Sequence, residues 1–188
     1  MRILHTSDWH LGRRLYGKER RSEYEHFLDW LLGVVSSEHA DSLIVSGDVF
    51  DSPTPPVWAQ ELYYSFLTRL RQTPCRSAVI TAGNHDSAAL LDAPAGLLGC
   101  LSVRVVGAPR SPQDSVFELP DSSGDAAALC CAVPFLRRRD LVTPACGQTA
   151  DDILCQYGEA FRAHYAAVVS EALSRRGARD IPIIATGH

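Results

Sequence analysis

The chain has 188 residues, of which 46% are hydrophobic and 21% are charged, as is usual for a soluble globular protein with one core. Its net charge of −4 argues against a protein that coats nucleic acid non-specifically, although local phosphate contacts are still compatible with it. No apolar run approaches the roughly 20 residues of a membrane helix, and the first residues do not form a signal peptide. We therefore expect a cytoplasmic protein without membrane contact.

Strand and helix patterns alternate along the chain, which predicts a sheet covered by helices in one domain. Apolar segments predict strands at 3–6, 43–45, 78–80, 103–106, 116–119, 129–133 and 181–185. Helical spacing predicts helices at 22–39, after Pro56, at 87–98 and through a long segment that includes Tyr157 and Ala172. The six cysteines contain no CxxC pair and lie mostly in apolar stretches, so we expect buried thiols.

Four segments place polar side chains directly after a predicted strand. They are Asp8-Trp9-His10, Gly47-Asp48-Val49-Phe50-Asp51, Gly83-Asn84-His85-Asp86 and Gly187-His188. Ligands of open α/β sheets bind beyond the carboxyl ends of the strands, so these segments can converge. Carboxylate and imidazole donors together suit manganese, iron, zinc or cobalt better than calcium. A carboxylate such as Asp48 could bridge two ions, which would then hold a phosphoryl group between them.

The four motifs differ in specificity. Asp-x-His arises easily by chance, and an Asp at a strand end often caps a turn or a helix. Gly-Asn-His-Asp is far more specific, because Asn84 is the only asparagine of the chain. A Gly-His pair means little by itself. The ordered set, with every member after a strand, predicts a metal site.

These motifs, DxH, GDxxD, GNHD and GH, resemble the signature of the calcineurin-like metallophosphoesterases. The stretches HTSDWHLG, SGDVFDSPTPP, AGNHDS, PFLRRRD and IPIIATGH resemble the bacterial nuclease subunits of that family more closely. The resemblance implies an α/β fold, a β-sandwich flanked by helices, across residues 1–188. It also implies a metallophosphoesterase domain that is incomplete at its C-terminus, because a GHxH motif and further strands would follow His188.

The resemblance also implies a ligand set for two divalent ions, with manganese as the expected metal. Asp8, His10 and Asp48 would bind the first ion, and Asp48 would bridge to the second. Asn84 and His188 would belong to the second ion. Since the histidines of the GHxH motif are not part of this chain, we expect it to bind manganese weakly by itself.

His85 and Asp86 are the catalytic residues that the resemblance implies. His85 would lie beside the scissile phosphate without binding metal, and Asp86 would orient it, while a hydroxide attacks the phosphodiester in line. Asp51 stands where relatives in double-strand-break repair carry a second histidine. Support for His10 or His85 and a simple turn role are equally open for Asp51.

The implied activity is that of a DNA nuclease, a 3′-to-5′ double-strand exonuclease and single-strand or hairpin endonuclease. It would act with an SbcC-type ATPase in DNA recombination, replication and repair, as a homodimer within a heterotetramer. Basic residues expected to contact DNA phosphates follow the first motif: Arg13, Arg14, Lys18, Arg20 and Arg21. For Arg137–Arg139, DNA contact and solvated charge are equally open. The alternatives are a phosphatase or phosphodiesterase of the same family with small substrates, and a fragment without catalysis.

Overall fold

Two β-sheets pack face to face, and helices cover the outer face of each, in a computed structural model that describes all 188 residues. The strands are β1 (Ile3–Thr6), β2 (Arg14–Leu15), β3 (Lys18–Glu19), β4 (Ser42–Ser46), β5 (Ser77–Thr81), β6 (Val103–Val106), β7 (Val116–Pro120), β8 (Ala126–Cys131) and β9 (Ile183–Ala185). The helices are α1 (Arg21–Ser37), α2 (Val57–Leu70), α3 (Ala88–Asp92), α4 (Ala95–Gly99), α5 (Pro112–Ser115), α6 (Arg138–Leu141) and α7 (Ala150–Arg176).

The first sheet is entirely parallel, with the strand order β1-β4-β5-β6. Every residue of β4 is buried, as expected of a central parallel strand that is covered on both faces. Helices α1 and α2 cover the outer face, where Val35 and Phe66 share one core with Val45 and Ile80. The short loops after β1, β4 and β5 therefore all emerge at the same edge of this sheet.

The second sheet has the order β7-β8-β9, with β7 and β8 antiparallel and β8 and β9 parallel. Its inner face packs on the first sheet, where Ile44 and Val79 meet Leu119 and Cys130. Its outer face is covered by α7 through Val168 and other apolar side chains. The layers are helix, sheet, sheet and helix, which confirms the predicted β-sandwich flanked by helices.

Three local predictions need correction. The helix predicted at 87–98 is two short helices, α3 and α4, which meet at Pro94, a residue with no N–H group to continue a helix. The β2–β3 hairpin was not predicted, since its strands have two residues each. Three cysteines are exposed, although the prediction favoured buried thiols, and all six are free: buried Cys75, Cys130 and Cys131, and exposed Cys100, Cys146 and Cys155. None of the helices is both long and apolar enough to cross a membrane.

Candidate metal centre

Each of four predicted donors follows the end of a strand: Asp8 after β1, Asp48 after β4, Asn84 after β5 and His188 after β9. Backbone hydrogen bonds continue past the strands and align these loops. The N–H of Asp8 donates to the carbonyl of Gly47 at 3.1 Å, and the N–H of Gly47 donates to that of Thr81 at 3.0 Å. His188 reaches the same edge from the second sheet, with its Nδ1 atom 3.1 Å from the carbonyl oxygen of Ser46.

The backbone is unusual at the predicted donors. Asp8, His10 and Asp48 have φ values of 57°, 48° and 49°, in the left-handed region that residues other than glycine rarely adopt. Such conformations cost on the order of 1 kcal/mol or more each and are concentrated at functional sites. The strain therefore lies at the residues that carry the donor atoms.

Six side chains form two donor groups, and within each group the donor atoms lie within 4.8 Å of one another. The Asp48 group consists of Asp8, Asp48 and His188, and the His10 group consists of His10, Asp51 and His85. Asp48 lies between them, because its Oδ2 atom is 3.3 Å from His188 Nε2 and 3.6 Å from His10 Nε2. This is the location that a carboxylate shared by two ions would need.

Asn84 extends the Asp48 group. Its Oδ1 atom lies 3.1 Å from Nε2 of His188, although the two residues are 104 positions apart in the chain. The structure thus brings together the amide and the imidazole that the resemblance assigns to one ion. Their role as metal ligands is still a prediction.

Two glycines make room for these side chains. A Cβ atom at Gly83 would overlap the carboxylate of Asp48, and one at Gly47 would overlap the ring of His188. Gly47 also has a φ of 82°, which glycine adopts without strain. Neither position can therefore carry a side chain without displacing a predicted donor.

The polar atoms of this region fit a divalent cation. The carboxylate of Asp48 is buried, and two imidazole rings face it. The buried Nδ1 atom of His10 lies 3.1 Å from Asp51 Oδ1 but makes no hydrogen bond of good geometry. Buried charges and unpaired buried nitrogens are costly unless an ion or a partner compensates them. Mixed carboxylate and imidazole donors suit first-row transition metals.

Asp86 does not have the role that was predicted for it. Its fully buried carboxylate accepts hydrogen bonds from the backbone N–H groups of Gly83, Val49 and Phe50, at 2.8, 3.1 and 2.8 Å. Burial raises the pKa of Asp86, and the three donors act in the opposite direction. Asp86 is therefore bonded to the backbone of the β4 and β5 loops and makes no hydrogen bond to the His85 ring.

His85 is exposed and is oriented by the backbone. Its Nδ1 atom lies 2.9 Å from the carbonyl oxygen of Asp51, and its ring lies 5.0 Å from that of His10 in an edge-to-face arrangement. The hydrogen bond to this carbonyl raises the pKa of His85, and the nearby carboxylates act in the same direction. Asp51 thus contacts both histidines, one through its side chain and one through its backbone.

The basic residues after the first motif are mostly paired with acidic ones. Arg14 pairs with Glu19 at 2.9 Å in the β2–β3 hairpin, and Arg20 and Arg21 pair with acidic residues of α1. Arg13 and Lys18 form no ion pair. Of the five predicted DNA contacts, these two have charges that are free for an external phosphate.

The segment after β8 also reaches the site, which was not predicted from the sequence. Phe135 and Arg137 contact the loop that carries Asn84 and His85. Both residues belong to the PFLRRRD stretch that took part in the resemblance. That stretch was the available signal, but no motif rule assigned a role to it.

Comparison with known proteins agrees with this architecture. The family described as "Calcineurin-like phosphoesterase" matches residues 1–188. The chain is similar to bacterial proteins named as the SbcD component of the nuclease SbcCD: 42% identical over 193 residues in Escherichia coli K12, 38% over 195 in Rhodobacter capsulatus and 34% over 191 in Bacillus subtilis.

Each of these similarities covers 100% of the chain but only 46–47% of the relative. The chain thus spans about half the length of the curated relatives that it matches. The match to the family covers the same residues as the sandwich and the donor groups. The chain therefore belongs to the calcineurin-like phosphoesterase family.

Proposed function

We propose that the protein is a metal-dependent phosphodiesterase that cleaves DNA. The observation that supports this most strongly is the position of Asp48 between the two donor groups, 3.3 and 3.6 Å from a histidine of each. A shared carboxylate at the edge of a parallel sheet favours two adjacent ions, and paired ions are suited to phosphoryl chemistry. The similarity to nuclease subunits along the whole chain favours DNA as the substrate.

The family uses divalent metal ions, and we propose manganese for this member. Asp8, Asp48, Asn84 and His188 would hold one ion, and His10 would share Asp48 with the other. When bound, such ions polarise phosphate oxygens and lower the pKa of water. In the proposed assignment, Asp51 supports His10 through the 3.1 Å contact between its carboxylate and His10 Nδ1.

His85 is the proposed proton donor. Its Nδ1 atom faces the Asp51 carbonyl, which leaves Nε2 for the substrate. The raised pKa of His85 favours the protonated ring, which can give its Nε2 proton to the leaving oxygen or stabilise charge on the phosphate. Asp86 contributes indirectly, since it fixes the backbone on either side of the site.

The substrate and partners follow the names of the relatives. We propose duplex ends and hairpins as substrates, cleaved in the 3′-to-5′ direction, and an SbcC-type ATPase as the partner of a homodimer, in DNA repair and recombination. Arg13 and Lys18 are the proposed phosphate contacts, because both lack an internal acidic partner and follow the first metal motif. Phosphate contacts hold DNA in place without reading its sequence.

A substrate panel tests the proposal. The full-length protein, with and without the partner ATPase, is assayed with manganese on bis-p-nitrophenyl phosphate, linear duplex DNA and hairpin DNA. We expect cleavage of all three, and loss of all three on addition of EDTA. Asp48→Asn is the matched preparation for contaminating nucleases. Turnover of the small diester without cleavage of DNA, even with the ATPase, would favour the small-substrate alternative.

A further inference from the structure

Arg137 lies against the loop that carries Asn84 and His85. One terminal nitrogen of its guanidinium group donates to the backbone carbonyl of Asp86 at 2.8 Å and to that of Asn84 at 3.4 Å. These carbonyls flank His85 on either side. A side chain more than 50 positions away in sequence therefore fixes the backbone at the proposed ligand and the proposed proton donor.

Arg137 is itself held in place by Phe135. The N–H group of Phe135 donates to the carbonyl of Ala82 at 2.8 Å, which attaches this segment to the end of β5. The guanidinium carbon of Arg137 lies 5.9 Å from the centre of the Phe135 ring, within the range of a cation–π contact. The same ring lies 6.4 Å from the ring of His188. Phe135 thus neighbours both Arg137 and one of the proposed donors.

We propose that Arg137 is a positioning residue, which holds the Gly83–Asp86 loop in the conformation where Asn84 and His188 can share a metal ion. The inference rests on the proposed metal binding of this site. It also answers the open question about Arg137, whose side chain is engaged with the protein and is not simply solvated. Without Arg137, two carbonyl groups would lose their donor, and the 3.1 Å approach of Asn84 to His188 would lose its support.

Electrostatics alone predicts the opposite effect on metal binding. A positive charge beside a cation site repels the cation, so a variant without this charge would bind manganese more tightly. A positioning role predicts weaker binding, because residues that orient metal ligands typically contribute about 10-fold to 100-fold in affinity. The sign of the change therefore separates the two explanations.

The test is a calorimetric manganese titration of the full-length protein in the wild type and in Arg137→Met. Methionine keeps much of the apolar stem but has neither charge nor donors. We expect affinity at one ion to fall by about 10-fold or more. Affinity equal to or higher than that of the wild type would overturn the inference.

Arg175→Met is the matched control. Arg175 likewise donates to two backbone carbonyls, those of Gln113 and Val116, but it joins α7 to the start of β7 and contacts no proposed ligand. We expect this control to lower the melting temperature without weakening manganese binding. An equal loss of affinity in both variants would mean that the effect is general destabilisation, and the inference would fail.

Arg137→Lys keeps the test decisive if the methionine variant does not fold. It retains the charge, but its nitrogen is one bond short of the position from which Arg137 donates. We expect weaker manganese binding here as well, and wild-type affinity would overturn the inference. DNA cleavage is scored separately, so a wild type that binds manganese without cutting DNA counts against the proposed nuclease function alone.

Discussion

The two sheets contribute to the metal centre in different ways. In the first sheet, β1, β4 and β5 each end in a motif that carries a proposed donor. The second sheet adds one donor, His188, and the segment with Phe135 and Arg137 that packs on the Asn84 loop. The first sheet thus supplies most of the donors, and the second supplies contacts that fix where those donors lie.

This difference follows from topology. Neighbouring parallel strands end at the same edge, so a short motif after each strand brings its side chains together. His188 reaches this edge only because Ile44 and Val79 of the first sheet pack against Cys130 of the second. Its position therefore depends on core packing between the sheets. Substitutions in the first sheet should then alter chemistry, and those in the second should alter stability or geometry.

The largest effect is expected for Asp48→Asn in the first sheet. Asp48 is close to a histidine of each donor group, so its loss should weaken both manganese sites and lower turnover of bis-p-nitrophenyl phosphate by more than about 100-fold. Calorimetry and steady-state assays measure the two effects. Asp29→Asn, which breaks only an exposed ion pair with Arg69, should change neither. Two tight manganese sites in Asp48→Asn would contradict the bridging role.

His85→Asn should separate chemistry from metal binding within the same edge. As a proton donor, His85 should contribute about 10²-fold to 10⁴-fold to turnover, while the number of manganese ions bound should not change. The structure also allows a different result, because His85 lies in the His10 group together with Asp51. Loss of one bound ion would identify His85 as a ligand and remove it from the acid role.

The first sheet and its donors could be predicted from the sequence because their signals are local. The apolar segments that form β4 and β5 and the motifs after them are contiguous in the chain. Asp86 was misassigned for the same reason. Its position next to His85 suggested contact with the imidazole, but its side chain turns inward to the N–H groups of Gly83, Val49 and Phe50.

The contacts of the second sheet could not be predicted, because they depend on tertiary packing. Nothing near Arg137 in sequence indicates that its guanidinium group meets carbonyls more than 50 positions earlier. The left-handed backbone of Asp8, His10 and Asp48 was equally hidden, since residues of these types usually adopt other conformations. Local patterns gave the donor identities, and only the packed structure gives their geometry.

Leu129→Ala tests the contribution of the second sheet to stability. Leu129 in β8 is fully buried in the core beneath α7, and such a truncation typically costs about 2–5 kcal/mol of unfolding free energy. Denaturant unfolding measures the loss. We expect manganese affinity to stay within about threefold of the wild type, because Leu129 contacts no proposed ligand. A fall of more than tenfold would show that this core and the metal centre are coupled.

A smaller effect is expected for the double variant Arg13→Ala and Lys18→Ala. If both residues contact phosphates, DNA affinity should fall and the slope of log affinity against log salt should shrink by up to about 1.8. Fluorescence anisotropy with DNA at several salt concentrations, without manganese, measures this slope. Arg14→Ala is the matched control, because Arg14 is already paired with Glu19. An unchanged slope in the double variant would place DNA elsewhere.

The smallest expected effect concerns His164 on α7, the helix that covers the second sheet. Its Nε2 atom is buried without a hydrogen-bond partner, and burial lowers the pKa of His164. The unfolded chain therefore takes up the proton more readily than the folded one, so stability should be full above about pH 6.5 and fall as the pH decreases through the lowered pKa.

Replacement by Gln should remove this dependence. Because the ring is partly exposed, the difference between wild type and His164→Gln should be on the order of a few tenths of a kcal/mol. Thermal unfolding at pH 8 and pH 5 measures it, with each protein as its own reference at pH 8. A pH dependence that is identical in both proteins would assign the titration to other groups. Manganese affinity at pH 8 should be the same in both, since α7 stabilises the second sheet and His164 contacts no proposed ligand.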